Sequence, residues 1–420
     1  MASDRRPEVL RHTGFRQFWL ASSVSELGRY VTTLALQVLV VTTLHGSASQ
    51  VGLVNAARWL SYPVLGLVIG TAMEHRRRRP TLVVADVGRA LLLGLIPMLW
   101  LADVLTIPAV IVLMLLFGVL SLANDGASQA LLPRLVPRRD LLAANARLDQ
   151  SSAVAQTSGP VIAGGLISAL GAPVAVLVDA ISYLYSGLTI ARMRMTEPPA
   201  ETGRHRPRRS EIVGGLRWIY RHRMLGAAAI STHGWFLCNA ALTTIYVPFA
   251  LRHLHLNAVE LGVTLAAAGV GGVAGSLSSM RLGMRFGAGR TVIAARACMA
   301  PAWAVITLTP ESPHWAALLL PAVSQLVIGT AMGAENANEM GYQQAITPDA
   351  LQVRTHTTMR SMNRSMIVIG APLGGALADR LGYHAVMWAA VVGFALVAVG
   401  LAFSPYRHAR HQNAGDGRTP

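Results

Sequence analysis

The sequence predicts an all-α membrane protein: twelve transmembrane helices packed as two six-helix bundles related by pseudo-two-fold symmetry. Three observations predict it. Of the 420 residues, 53% are hydrophobic and only 13% are charged, about half the charged share of an ordinary soluble domain. The apolar residues gather in runs such as "PAVIVLMLLFGVLSLAN" and "WAAVVGFALVAVGLAF", close to the roughly 20 residues a helix needs to cross a bilayer. Finally, one glycine-spaced phrase occurs twice: "TSGPVIAGGLISALG" from Thr157 and "VIGAPLGGALADRLG" from Val368. Gly159 and Gly370, Gly164 and Gly375, and Gly171 and Gly382 each stand 211 residues apart, as do Pro137 and Pro348. That period is too long for a solenoid repeat and suits a duplicated half-protein.

The elements follow in order from runs and breaks. The first span, 18–43, stops at the polar break "LHGSASQ", and the second, 51–73, stops at a cluster of arginines. The third, 81–101, ends at "LADVLTIP", and the fourth, 108–131, ends before Arg134. The fifth and sixth, 143–170 and 172–192, are parted only by Gly171. A second series repeats the pattern at 224–250, 258–280, 289–309, 315–337, 355–381 and 383–404. Its second member matches that of the first series, since Gly52 in "SQVGLVNAA" and Gly262 in "VELGVTLAA" stand 210 residues apart. Residues 1–192 and 224–420 are thus expected to form the two bundles. The charged, proline-bearing stretch 193–223 is expected to be a linker holding an amphipathic helix from Ser210 to Tyr220.

Charge sets the orientation. The net charge is +16, and all 36 basic residues are arginine. A basic chain raises nucleic-acid binding first, but here the arginines sit in alternate breaks between apolar runs rather than on one face. Breaks after even-numbered spans hold Arg76 to Arg79, Arg134, Arg138, Arg139, the linker cluster, Arg281, Arg285 and Arg354; Arg252 and Arg380 are exceptions. The positive-inside rule then places both termini and the linker in the cytoplasm of a multi-pass plasma-membrane protein. No small-residue cleavage site follows the first apolar run, so no cleaved signal peptide is expected. Cys238 and Cys298 lie within apolar runs and read as small buried hydrophobes.

The stretch "ALLPRLVPRRDLLAANARLDQSSAVAQTSGPVIAGGLISALGAPVAVLVDAISYLYSG", together with "ADVGRALLLG", resembles major facilitator exporters, in the branch holding the enterobactin exporter and macrolide efflux proteins. The resemblance implies two bundles that alternate access around a central path. It also implies secondary active, proton-coupled efflux of small amphipathic molecules by a monomer. An importer of the same fold, or a non-transporting membrane sensor, is the alternative. The loop "GLVIGTAMEHRRRRPT" is similar to the family signature between helices two and three, with Glu74 in the acidic place and Arg76 to Arg79 as the basic cluster. A cytoplasmic gate is expected from this loop and its counterpart. Glu74 would meet Arg360 or Arg364, and Arg285 would meet Asp149; solvated topology charges are the plain alternative. Gly159, Pro160, Gly164 and Gly165 resemble the family's antiporter motif in helix five. Small residues there let helix backbones approach closely, which suits seams on which the bundles rock.

Charges within the spans are costly and therefore candidates for function. Glu26 and Arg29, and likewise Asp86 and Arg89, sit three residues apart on one helix face and invite internal pairs. Arg58 has no local acid. Asp125 and Glu335 stand 210 residues apart, and Glu339 follows one turn after the latter. Glu26, Asp125 and Glu335 are the candidates for proton coupling, and His233 is a further titratable group. Tyr30, Trp235, Phe236 and Tyr246 are candidate cavity aromatics. No Walker loop or metal-ligand spacing occurs, so no ATP, metal or other cofactor is expected. The expected partners are a small-molecule substrate, protons and the lipid bilayer.

Overall fold

The computed structural model describes residues 8–74, 77–193 and 209–410. Twelve long helices and one short one account for nearly all of them. The first series comprises α1 (Thr13–Val38, continued by one π-turn to Thr43), α2 (Ala48–Glu74), α3 (Arg78–Leu101), α4 (Ile107–Leu135), α5 (Leu141–Leu170) and α6 (Ala172–Arg192). The linker helix α7 (Arg209–Arg221) precedes the second series. That series runs α8 (Arg223–Arg252), α9 (Ala258–Phe286), α10 (Ala288–Thr307), α11 (His314–Ile346), α12 (Asp349–Leu381) and α13 (Tyr383–Ala402).

All twelve expected spans are present. Where the ends differ by more than three residues, the helices run further on the side of the termini. α4 continues from 131 to Leu135, α9 from 280 to Phe286 and α11 from 337 to Ile346, while α12 begins at Asp349 rather than 355. Hydropathy marks only the lipid-length core of a helix, whereas hydrogen bonding carries it on into polar sequence. By length and composition, nine helices among the described residues can cross a membrane. α12 falls outside that group because its first half is polar and faces the interior with Arg360 and Arg364. The amphipathic linker helix also forms: Ile219 is buried and Leu216 half-buried, while Arg217 and Arg221 face solvent.

Each series packs as a bundle, α1 against α5 and α6 and α3 against α4 and α6 in the first, α9 against α11 and α10 against α11 and α13 in the second. The two meet along α2–α12 and α5–α9. At the face opposite the termini, which we call distal, these seams close on glycines. A Cβ at Gly375 would strike the Ala48 carbonyl, and one at Gly164 the Ala258 carbonyl. Reciprocally, a Cβ at Gly52 would strike Ala371 and one at Gly262 would strike Pro160. The four contacts form two pairs related by the internal repeat, so the duplicated phrase supplies backbone-to-backbone contact at both distal seams.

Two charged side chains cross the distal seal and meet helix ends of opposite sign. The Asp379 carboxylate of α12 accepts hydrogen bonds from the Ala48 and Ser49 N–H groups of α2, both at 2.9 Å. A carboxylate suits the positive end of a helix, whose first N–H groups have no partner within it. Arg252 of α8 donates to the carbonyls of Gly46 (2.7 Å) and Val41 (3.3 Å), just past α1. These contacts account for Arg252 lying on the arginine-poor side.

Candidate functional site

Between the distal seal and the terminal face lies a cavity of about 360 Å³, lined by α1, α2, α3, α4, α6 and α12. Its size falls within the range of small-molecule sites. Five arginines and three carboxylates line it. The charge comes from the sequence register: Glu26/Arg29 and Asp86/Arg89 each sit less than one helical turn apart, on faces that turn inward.

Each carboxylate has its own guanidinium. Glu26 pairs with Arg29, with Nε to Oε2 at 3.1 Å, and accepts from the Ser152 hydroxyl of α5 at 2.8 Å. Asp86 pairs with Arg89 and accepts from Ser186 (2.6 Å) and Asn124 (3.0 Å). The Arg89 guanidinium also lies over the Tyr183 ring, 4.0 Å from its centroid. Asp125 accepts from Tyr62 at 2.8 Å and from Arg360 at 2.9 Å. This last pair joins the bundles, since Asp125 stands on α4 and Arg360 on α12. Its side chains are 37% and 35% exposed, so solvent reaches them deep in the cavity wall.

Two arginines are left over. Arg58 donates to the Thr33 hydroxyl at 2.9 Å, with its Cζ 5.3 Å from the Phe117 centroid. Arg364 stacks on Trp59, with Cζ 3.9 Å from the ring centroid. Neither has a carboxylate in ion-pair reach among the described residues.

The second bundle holds a different cluster. Arg296 on α10 donates from Nε to Glu335 at 2.6 Å and from Nη2 to Glu339 at 2.9 Å, both on α11. It also donates to Ser231 and Thr232 of α8, and Thr232 in turn donates to Glu339 at 2.6 Å. The Arg296 side chain is 1% exposed and Glu335 7%. Sequence reasoning named both acids but passed over Arg296, hidden in the apolar run "TVIAARACMA". A signal existed: Arg296 stands 207 residues after Arg89, close to the repeat offset.

The structure brings only some of the candidate residues to the cavity, and the expected cavity aromatics are not among them. Glu335 and Glu339 do not line the cavity; Arg296 holds them inside their bundle. Tyr30, Trp235, Phe236 and Tyr246 do not line it either. Tyr30 packs on Gly159, Trp235 sits among Phe236 and Phe394, and the Tyr246 hydroxyl donates to Thr264 beside Trp303. The lining aromatics are Phe18, Trp59, Tyr62 and Tyr183. His233 is also outside the cavity, hydrogen-bonded to Tyr220 of the linker helix (2.7 Å) and Asn363 of α12 (2.8 Å).

Arg360 is on Asp125 and Arg364 on Trp59, while the contact expected of them with Glu74 falls on a side chain that is not described. Arg76 also lies outside the described residues. Arg79 caps the last turn of α6 through the Ile190 (3.1 Å) and Ala191 carbonyls. Asp149 and Arg285 are both exposed and are not brought together as an ion pair. Of the motif in helix five, Pro160 and Gly164 lie on the seam, Gly159 faces Tyr30 and Gly165 meets nothing.

Residues 7–416 match the family described as transmembrane secretion effector. Among relatives of known description, the chain is 27% identical over 409 residues to the multidrug efflux pump Tap of Mycolicibacterium fortuitum, covering 92% of this chain and 94% of the relative. It is 25% identical over 393 residues to the enterobactin exporter EntS of Citrobacter koseri, covering 93% and 91%. Among solved structures, the nucleoside transporter NupG superposes with a TM-score of 0.73 at 12% identity, covering 92% of this chain and 98% of that one. A bacterial homologue of the iron transporter ferroportin in its inward-facing state gives 0.73 at 14% identity, covering 96% and 100%.

Proposed function

Because the chain belongs to the transmembrane secretion effector family of major facilitator transporters, we propose that it is a proton-coupled exporter of small amphipathic molecules. Residues 1–192 and 224–420 act as the two rocking bodies, joined by 193–223. The arginine-rich face, with both termini, is cytoplasmic by the positive-inside rule. On this reading the distal seal faces outward and the cavity serves the cytoplasmic side. The relatives named as drug and enterobactin exporters support the outward direction.

One observation carries the coupling: Asp125, a titratable group, has its charged partner Arg360 across the plane on which the bundles part. A proton on Asp125 removes the charge that holds Arg360. Proton occupancy and the relative position of the bundles therefore bias each other, as linkage requires. A partly exposed pair contributes roughly 0–1 kcal/mol, enough to shift conformers that lie a few kcal/mol apart. Glu26, already paired and hydrogen-bonded on its own side of the cavity, is the secondary carrier.

The test is transport into inside-out vesicles across a panel of drugs and a catecholate siderophore, with and without a proton gradient. Uptake driven by an acidic lumen, with cargo-linked proton release, is expected for the wild type, and Asp125→Asn should lose the dependence on the gradient. Gradient-independent uptake in the wild type, or unchanged coupling in Asp125→Asn, overturns the reading. Uptake only in right-side-out vesicles would make the protein an importer.

A further inference from the structure

The cavity charges do not cancel. Glu26, Asp86 and Asp125 are each spoken for by Arg29, Arg89 and Arg360. Arg58 and Arg364 remain, neither of them ion-paired to a carboxylate among the described residues; the buried Asp179 attracts Arg58 from behind the lining without a salt bridge, and the lining itself carries two positive charges in excess. Both flank one indole, their Cζ atoms 5.8 Å and 3.9 Å from the Trp59 ring centroid. Guanidinium stays protonated at every working pH, so this excess does not titrate away. A cation inside a membrane protein is costly without a counter-charge, and cation–π contact with Trp59, Phe117 and Tyr62 offsets only part of that cost. None of these partners is an oxyanion acceptor, which the guanidinium fork fits best.

Resting on the proposal that this cavity is the transport path, we infer that its cargo is an organic anion. A carboxylate, sulfonate, phosphate or ionised phenol binds between Arg58 and Arg364, and the apolar or aromatic body lies against Trp59 and Tyr62. Arg58 belongs to α2 and Arg364 to α12, so one anion bridges both bundles. Cargo binding thereby acts on the same α2–α12 contact that opens and closes. A cation of the same shape meets two like charges at the point where the anion finds two partners, which is discrimination by repulsion as well as attraction.

The experiment is equilibrium binding to purified protein in lipid nanodiscs, without any gradient, read by quenching of tryptophan fluorescence. Three probes share one ring system: naphthalene-2-carboxylate, naphthalene-2-carboxamide and 2-naphthylmethylamine. The expected order is carboxylate tightest, at least tenfold over the amide, with the amine weakest. Arg364→Gln should reduce carboxylate affinity about tenfold and leave the amide unchanged, and Arg364→Lys should restore part of it. Arg58→Gln should act likewise; its melting temperature shows whether the fold survives, and Arg364→Gln carries the test where it does not. Amine binding as tight as carboxylate binding, or carboxylate affinity unaltered in Arg364→Gln, overturns the inference. Because binding needs no proton gradient, charge selectivity without coupled transport refutes only the proton-coupled reading. Coupled transport of a cationic drug without anion selectivity refutes only this one.

Discussion

Asp125 and Glu335 occupy equivalent places in the duplicated chain, 210 residues apart, yet their surroundings differ in kind. Glu335 is sunk in the second bundle, held with Glu339 by Arg296, which is itself satisfied by two hydroxyls of α8. Asp125 stands at the cavity wall, partly open to solvent, and its cation comes from the other bundle. One acid ties three helices of its own bundle together; the other ties the two bundles to each other. The duplication thus supplied two similar frames. In one the polar residues became an internal brace, and in the other they became the lining of a site.

Substitutions should separate brace from site. The largest effect is expected at Arg296: Arg296→Leu leaves the buried Glu335 carboxylate and the half-buried Glu339 carboxylate without their cation and should cost about 3–5 kcal/mol. It would be seen as a large drop in melting temperature in detergent or as loss of folded protein. A variant that melts normally would break the comparison at its base. Next comes the seal. Gly375→Val forces side-chain atoms into the Ala48 carbonyl and should disfavour the distal-closed state by roughly 1–3 kcal/mol. Spin labels at the distal ends of α2 and α12, in a Cys238→Ala/Cys298→Ala background, should report a longer mean distance. Asp379→Ala, which removes a helix cap, should shift the same distance distribution in the same direction by about 1 kcal/mol. Asp125→Asn is expected to have the smallest effect on stability, roughly 0–1 kcal/mol. A destabilisation rivalling that of Arg296→Leu would make Asp125 a brace as well.

The fold was readable because lipid imposes a length on each helix and arginine a side on each break; neither constraint depends on which way a side chain points. The seam glycines were readable for a related reason, since the repeat offset marked them without reference to neighbours. The site was less so. In helices that are apolar on every side, periodicity does not say which face meets the cavity. Trp235 and Tyr246 therefore looked as eligible as Trp59 and Tyr62, and only packing separates them. Arg296 was obscured by its apolar surroundings, although its distance from Arg89 nearly repeats the glycine offset. The partner of Arg360 depended on how the bundles sit against one another, which no local pattern encodes.

The cap that Asp379 places on α2 has a consequence for how the cycle can be observed. While the outer side is shut, the amides of Ala48 and Ser49 are held by a carboxylate from the other bundle; when it parts, they turn to water. The cap as a whole contributes only about 1 kcal/mol, so it tunes the balance without arresting it. Deuterium uptake at those two amides should then count excursions of the whole transporter, with no label attached and no cargo known.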